Sequence, residues 1–252
     1  MRTSPALRLV AGLLLLVAGG PGYSAGLPYP EFIAQYAASA NGFGVGTVTV
    51  RLKDEGDNRY LYTQKSSSSG IAAWFSPGDM IETSRWELVD GGIRPLEYRS
   101  QREGGDDDDN EHLIFDWAAG KVRNVGAGEH WEIALPDGTL DRLVIQLAML
   151  FDLRAGATRF DYWIPRQGRL KEYRFARTGE DDLKLTPGIY HTLKVARTND
   201  DQDESSVWSA PELDYFPVRF LKKKRRGVKI ELELRKLDFA PFGDATTLEV
   251  AP

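Results

Sequence analysis

Apolar residues in this chain recur at every second position in short segments, and Gly, Asn, Asp and Pro separate one segment from the next. That period puts successive side chains on opposite faces of an extended backbone, so it commits the chain to strands buried on one side. In VKIELELRKLDF (228–239), Val228, Ile230, Leu232 and Leu234 share one face and Lys229, Glu231, Glu233 and Arg235 the other. In FGVGTVTVRL (43–52), Val48, Val50 and Leu52 share a face while Phe43 and Val45 fall on the opposite phase. The phase changes at Gly46, where a bulge costs little. RYLYTQK, ETSRWELVD, GIRPLEYRS, HLIFDWAAGKVRNV, RFDYWIPRQGRLKEYRFAR and GIYHTLKVART read the same way. Hairpin follows hairpin, which predicts a largely antiparallel meander.

One segment departs from this period. In DGTLDRLVIQLAMLFDLRAG, Leu140, Val144, Leu147 and Phe151 recur at helical spacing, Thr139 or Asp141 can cap the start, and Gly156 can end the helix. A single short helix is stable only when its apolar face is packed. The expected fold is therefore mostly β: a curved antiparallel sheet or incomplete barrel with one amphipathic helix packed on or in it. At 252 residues, with neither repeat nor linker, the chain is long enough for one full core.

The first residues place Arg2 and Arg8 before an apolar run (9–18) that is followed by Gly, Pro and small residues. This is the order of a secretory signal peptide, and the run is too short to span a bilayer. Cleavage is expected after Ala25, with Ser24 as the alternative, leaving 26–252 as a single β-rich domain. The chain has no cysteine, hence no disulfide framework and no lipidated lipoprotein cysteine. A disulfide-free exported chain is expected in a bacterial periplasm. Its formal charge of -5 grows more negative once the leader's two arginines are removed, which argues against nucleic acid as a partner.

Catalytic and metal patterns are weak. His112, His130 and His191 stand in no close ligand spacing, and His191 falls on the apolar phase of its strand, as a core histidine would. Asp106, Asp108 and Asn110 have every-other spacing, but Glu111 stands where a calcium loop needs glycine. No Gly-x-Ser-x-Gly elbow occurs, residues 66–69 read as a polar serine loop, and the Gly-x-Gly at 42–46 opens a strand rather than a helix. Neither catalysis, metal nor cofactor is expected. The charged runs EGGDDDDNEH, GEDDLK, NDDQDESS and KKKRRG read as solvated hairpin tips.

Aromatic side chains remain. Trp74, Phe75, Trp86, Trp208 and Tyr215 are candidates for the wall of a ligand site, beside the reading in which aromatics fill a β core. In SAPELDYFPVRF, Pro211 and Pro217 fix φ and withhold N–H donors, so the chain must turn. Glu212 and Asp214 can bond nearby N–H groups or pair with Arg219, giving a rigid corner. Beyond it Lys222, Lys223, Lys224, Arg225 and Arg226 form a basic tip.

That corner, with FGVGTVTV, SRWELVDGGIRPLEYRS and the one helix, resembles the bacterial family known as domain of unknown function 3108 from about residue 29 to 239. Trp208, Ala210, Pro211, Glu212, Leu213, Asp214, Tyr215, Pro217 and Val218 carry the most specific part of the likeness. The resemblance implies an exported envelope protein, similar in some members to periplasmic lipoprotein carriers, whose unclosed barrel holds acyl chains under a helical lid. This chain has one clear helix rather than several. The reading is a non-enzymatic periplasmic protein that binds a hydrophobic or amphiphilic envelope component, such as a lipid or an acyl chain, in the concave face of the sheet. The alternative is an envelope interaction module that meets another envelope protein or lipopolysaccharide through strand edges or the basic tip. A carboxylate-based glycan hydrolase ranks last, because nothing singles out an acid pair.

Overall fold

The computed structural model describes residues 30–70, 78–105, 110–126, 128, 130–200, 203–225 and 227–239. The leader, Trp74, Phe75, Asp106, Asp108 and Arg226 lie outside the described residues. Eight strands come first: β1 (Phe32–Ala40), β2 (Phe43–Gly56), β3 (Arg59–Ser68), β4 (Met80–Val89), β5 (Gly92–Arg102), β6 (Glu111–Asp116), β7 (Lys121–Asn124) and β8 (Trp131–Ala134). Helix α1 (Ile145–Arg154) follows. Six strands complete the chain: β9 (Arg159–Arg166), β10 (Arg169–Leu185), β11 (Gly188–Arg197), β12 (Asp203–Ala210), β13 (Phe216–Lys224) and β14 (Lys229–Phe239).

All fourteen strands form one sheet in the order β8-β7-β6-β5-β4-β3-β2-β1-β14-β13-β12-β11-β10-β9. Every neighbouring pair is antiparallel, and all are sequential except β1 with β14, which joins the two halves of the meander from Phe32↔Phe239 to Ala40↔Ile230. The sheet does not close. Between its edge strands, the segment leading to α1 adds a single bridge, in which Leu140 N–H donates to the Trp163 carbonyl of β9 at 2.9 Å.

The concave face holds the core, and α1 lies within it. The helix reaches β4 through Phe151 edge-on to Trp86 (6.4 Å), and β9 through the Tyr162 hydroxyl donating to Asp152 (2.7 Å). It also reaches the β12–β13 corner through Arg154 and Asp214 (3.1 Å). Only a helix seated in the concavity can touch strands so far apart in the order. Its Ile145, Leu147, Met149, Leu150 and Leu153 are buried, along with Val48, Val50 and Leu52 of β2. The lone helical pattern thus packs its buried residues against the sheet.

Val45, next to Gly46, is the extra residue of a bulge in β2 opposite Ala38 and Ser39 of β1, where the phase of β2 changes as its sequence requires. A Cβ on Gly46 would lie 2.0 Å from the Ser67 carbonyl oxygen of β3. Gly46→Ala is therefore expected to cost about 1–3 kcal/mol, read as a fall in the urea midpoint, since the neighbour is backbone and cannot swing away.

Three expectations are corrected. Ser66, Ser67 and Ser68 are in β3, paired with Val48, Thr47 and Gly46, rather than in a loop. GEDDLK lies inside β10, whose register shift at Arg177/Gly179 lets it continue to Leu185 against β11. In both segments pairing with a neighbouring strand outweighs a composition typical of loops. His191 is exposed: its ring meets Asp182 at 2.9 Å, and Ile189 beside it is 72% exposed. The first half of β11 pairs only with β10, and β12 joins at Leu193, so the early apolar positions have no core to face.

Candidate functional site

The turn that starts α1 is built around Asp141. This residue is fully buried, and its Oδ1 accepts the Leu143 and Val144 N–H groups at 2.8 and 2.9 Å. Oδ2 accepts the Ser84 hydroxyl of β4 at 2.5 Å. Burial pushes the carboxyl up to about 6, against the opposing Ser84 and backbone hydrogen bonds and with help from the nearby Glu82 charge. Thr139, the other cap candidate, donates instead to the Pro136 carbonyl at 2.6 Å.

Next to it, Glu82 collects three donors: Gln64 Nε2 at 3.0 Å, the Tyr98 hydroxyl at 2.7 Å and Arg142 Nε at 3.0 Å. The Arg142 guanidinium lies 5.1 Å from the Tyr98 ring centroid and reaches Glu111 at 3.5 Å. Burial raises the Glu111 carboxyl above its usual range, while Arg142 and Arg166 pull it down and Glu82 adds to the rise.

Among the described residues, two hollows lie beside the helix and at the sheet's rim. The first is an apolar cleft of about 130 Å³ between Ile145, Met149 and Leu150 of α1 and Phe175, Val207 and Phe220 of the sheet. Ser209 also lines it; its hydroxyl is wholly buried and has no hydrogen-bond partner among the described residues. The second is a polar cleft of about 430 Å³ lined by Arg102, Arg142, Arg166, Glu111 and Trp131 among others. It sits where β4, β6 and β8 begin and β5, β7 and β9 end, at one rim of the sheet.

The aromatic candidates are not gathered into one wall. Trp86 is 0% exposed, stacked on Tyr60 at 4.6 Å. Trp208 is buried, donates Nε1 to Asp181 at 2.6 Å, and has Lys194 and Arg219 each 5.1 Å from its ring. Tyr215 is half-buried in the corner, with φ 64° and its N–H on the Ala210 carbonyl at 2.9 Å. None of the three lines either cleft.

The corner is a turn of 3-10 helix over Pro211–Leu213, followed by left-handed Asp214 and Tyr215. Val218 and Phe216 enter the core, and the Tyr36 hydroxyl binds the Pro217 carbonyl at 2.8 Å. Its acids, however, do not pair with Arg219. Glu212 accepts the His191 N–H at 3.0 Å, Asp214 meets Arg154, and Arg219 pairs with Glu231 of β14. In the β12–β13 register Asp203 and Glu204 face the basic tip, so Lys222 pairs with Asp203 at 3.2 Å and Lys223 with Glu204 at 3.0 Å. Lys224 and Arg225 stand with them around a charged hollow at the β13 end. The acidic run and the basic run are thus partners across one hairpin.

Sequence reasoning missed Arg102, Arg142, Arg166 and Ser209. They come from strand ends, a turn and a strand interior with no shared spacing, and only Asp141 had a local signal, as a cap.

An unclosed antiparallel sheet wrapped on one helix defines a barrel-like β protein. The sequence matches the family described as "Protein of unknown function (DUF3108)" over residues 35–233, and the chain belongs to that family. No curated protein matches the sequence. A crystal structure described as a beta-barrel-like protein of domain of unknown function DUF1849, from Brucella abortus, is similar at 10% identity and a TM-score of 0.47. That similarity covers 85% of this chain and 100% of the other.

Proposed function

We propose that the chain is an exported, non-enzymatic periplasmic protein that binds an apolar or amphiphilic component of the cell envelope in its concave face. The observation that carries this reading is the Ser209 hydroxyl, buried with no partner among the described residues in a cleft whose lining is apolar apart from Ser209 and Gln146. An unmatched buried polar group costs about 1–3 kcal/mol, and a ligand with an apolar body and one polar atom at that depth would offset it. At about 130 Å³ the cleft approaches the roughly 150 Å³ that admits a benzene ring, so it suits a chain end or short apolar segment rather than a whole acyl chain. The leader-like first residues support export.

Native mass spectrometry of the protein purified from a bacterial periplasm, with lipid extraction of the same sample, tests the reading. A stoichiometric apolar or amphiphilic adduct is expected, and Val207→Trp, which fills the cleft, is expected to lose it. A clean apo mass for the unaltered protein would reject the reading and favour the interaction module, for which Lys222, Lys223, Lys224 and Arg225 would then be neutralised.

A further inference from the structure

The polar cleft is the larger hollow, and the binding reading above does not use it. Three guanidinium groups meet there from separate elements: Arg102 at the end of β5, Arg142 in the turn before α1, and Arg166 at the end of β9. Two carboxylates oppose them. Glu111 lines the cleft, and Glu82 holds Arg142 from behind while also taking the Tyr98 and Gln64 donors. Among the described residues that line the cleft, three arginines face one carboxylate, Glu111, a positive balance in a chain whose formal charge is -5.

Arg166 is the least committed of the three. It is exposed at the strand end and has no ion pair among the described residues, although it biases the ionisation of Glu111. Arg142 is already oriented by Glu82 and by the face of Tyr98, so its planar fork is held in place before any ligand arrives. Trp131 closes one side, its ring 3.6 Å from the position of a Cβ on Gly168 in the β9–β10 turn. The volume of about 430 Å³ lies within the size range of small-molecule sites and exceeds a bare oxyanion.

We propose that this cleft binds a phosphate-bearing ligand, its phosphoryl oxygens taken by Arg102, Arg142 and Arg166 and the remainder of the ligand lying against Trp131. Guanidinium forks match phosphate oxygens two at a time, and three of them around a doubly charged group displace the weaker pull of Glu111. A carboxylate ligand brings one charge to the same forks and competes poorly with Glu111. The phosphate can belong to a free solute or to a lipid headgroup, and the chemistry at the arginines is the same.

The test titrates the protein with inorganic phosphate in a calorimeter at low salt, with acetate as the comparison anion. In parallel the protein is sedimented with phosphatidylcholine vesicles with and without phosphatidic acid. The variants are Arg166→Gln and the Arg102→Gln, Arg166→Gln double, each checked for its far-ultraviolet spectrum and urea midpoint. One-to-one phosphate binding is expected, weakened about tenfold or more by Arg166→Gln and lost in the double variant. If the double variant does not fold, the single variant carries the test. Binding of free phosphate assigns a solute; binding only to phosphatidic acid vesicles assigns a headgroup. Acetate binding as tightly as phosphate, no binding of either phosphate probe, or binding unaltered in folded Arg166→Gln would each overturn the assignment. Val207→Trp should leave phosphate binding unchanged, which separates this site from the apolar cleft.

Discussion

Trp86→Ala is expected to lower stability by about 3–5 kcal/mol, the usual cost of removing a large buried aromatic side chain. The indole is 0% exposed, stacked on Tyr60 of β3 at 4.6 Å and met edge-on by Phe151 of α1 at 6.4 Å. Its removal therefore takes a contact from the sheet and one from the helix together. Neither neighbour can collapse into the space without leaving its own element. Trp86→Phe should cost far less, about 1 kcal/mol, because the Trp86 Nε1 donor is buried with no hydrogen-bond partner among the described residues and its loss ends an unmatched desolvation. Urea unfolding of the three proteins checks both values, provided the slopes agree. Equal losses for Phe and Ala would mean that the indole N–H makes a bond in solution, for which a buried water is the ready partner.

Asp141 is expected to make the protein more stable as pH falls from about 6 toward 4. Its carboxyl is pushed from 3.8 up to about 6 in the fold, so the folded state holds the proton more tightly than the unfolded chain does. Stability from this group is full below the unfolded value and is lost as pH rises through the folded one, a swing of about 3 kcal/mol. The groups that face it are the Ser84 hydroxyl, the Leu143 and Val144 N–H groups and the more distant Glu82. Asp141→Asn keeps an acceptor for the two N–H groups and can donate to Ser84. It should therefore match or exceed the unaltered protein at pH 7.5 and fall behind it at pH 4. Asp141→Ala removes the cap and strands Ser84, costing about 1–2 kcal/mol or more at pH 7.5. Urea midpoints of the three proteins at pH 4 and 7.5 decide the matter. An Asn variant that tracks the unaltered protein at both values would refute the raised carboxyl.

Much of this architecture was legible from the period alone. Val48, Val50 and Leu52 alternate in sequence and are buried in the fold, and Gly46 marks the phase change where the bulge occurs. The helix was legible because it breaks the period, and the turn before it because Asp141 is one of the two capping residues at its start. The corner was legible from its two prolines. Legibility failed where a neighbouring strand overrode composition. The serines of β3 and the GEDDLK run of β10 look like loops until their partners are known. The reverse held for His191, whose apolar phase points to no core because β12 pairs only with the later half of β11.

The sequence by itself determined the strand periodicity, the single helix, the antiparallel order of hairpins and the membership of a family. These are local properties, set by which side chains must face away from water within a few residues of one another. Only the tertiary structure decided that β1 pairs with β14, that α1 lies inside the concavity, and that Arg102, Arg142 and Arg166 meet at one rim. Those outcomes depend on contacts between residues far apart in the chain, where the sheet's curvature, rather than any spacing in the sequence, sets which side chains become neighbours.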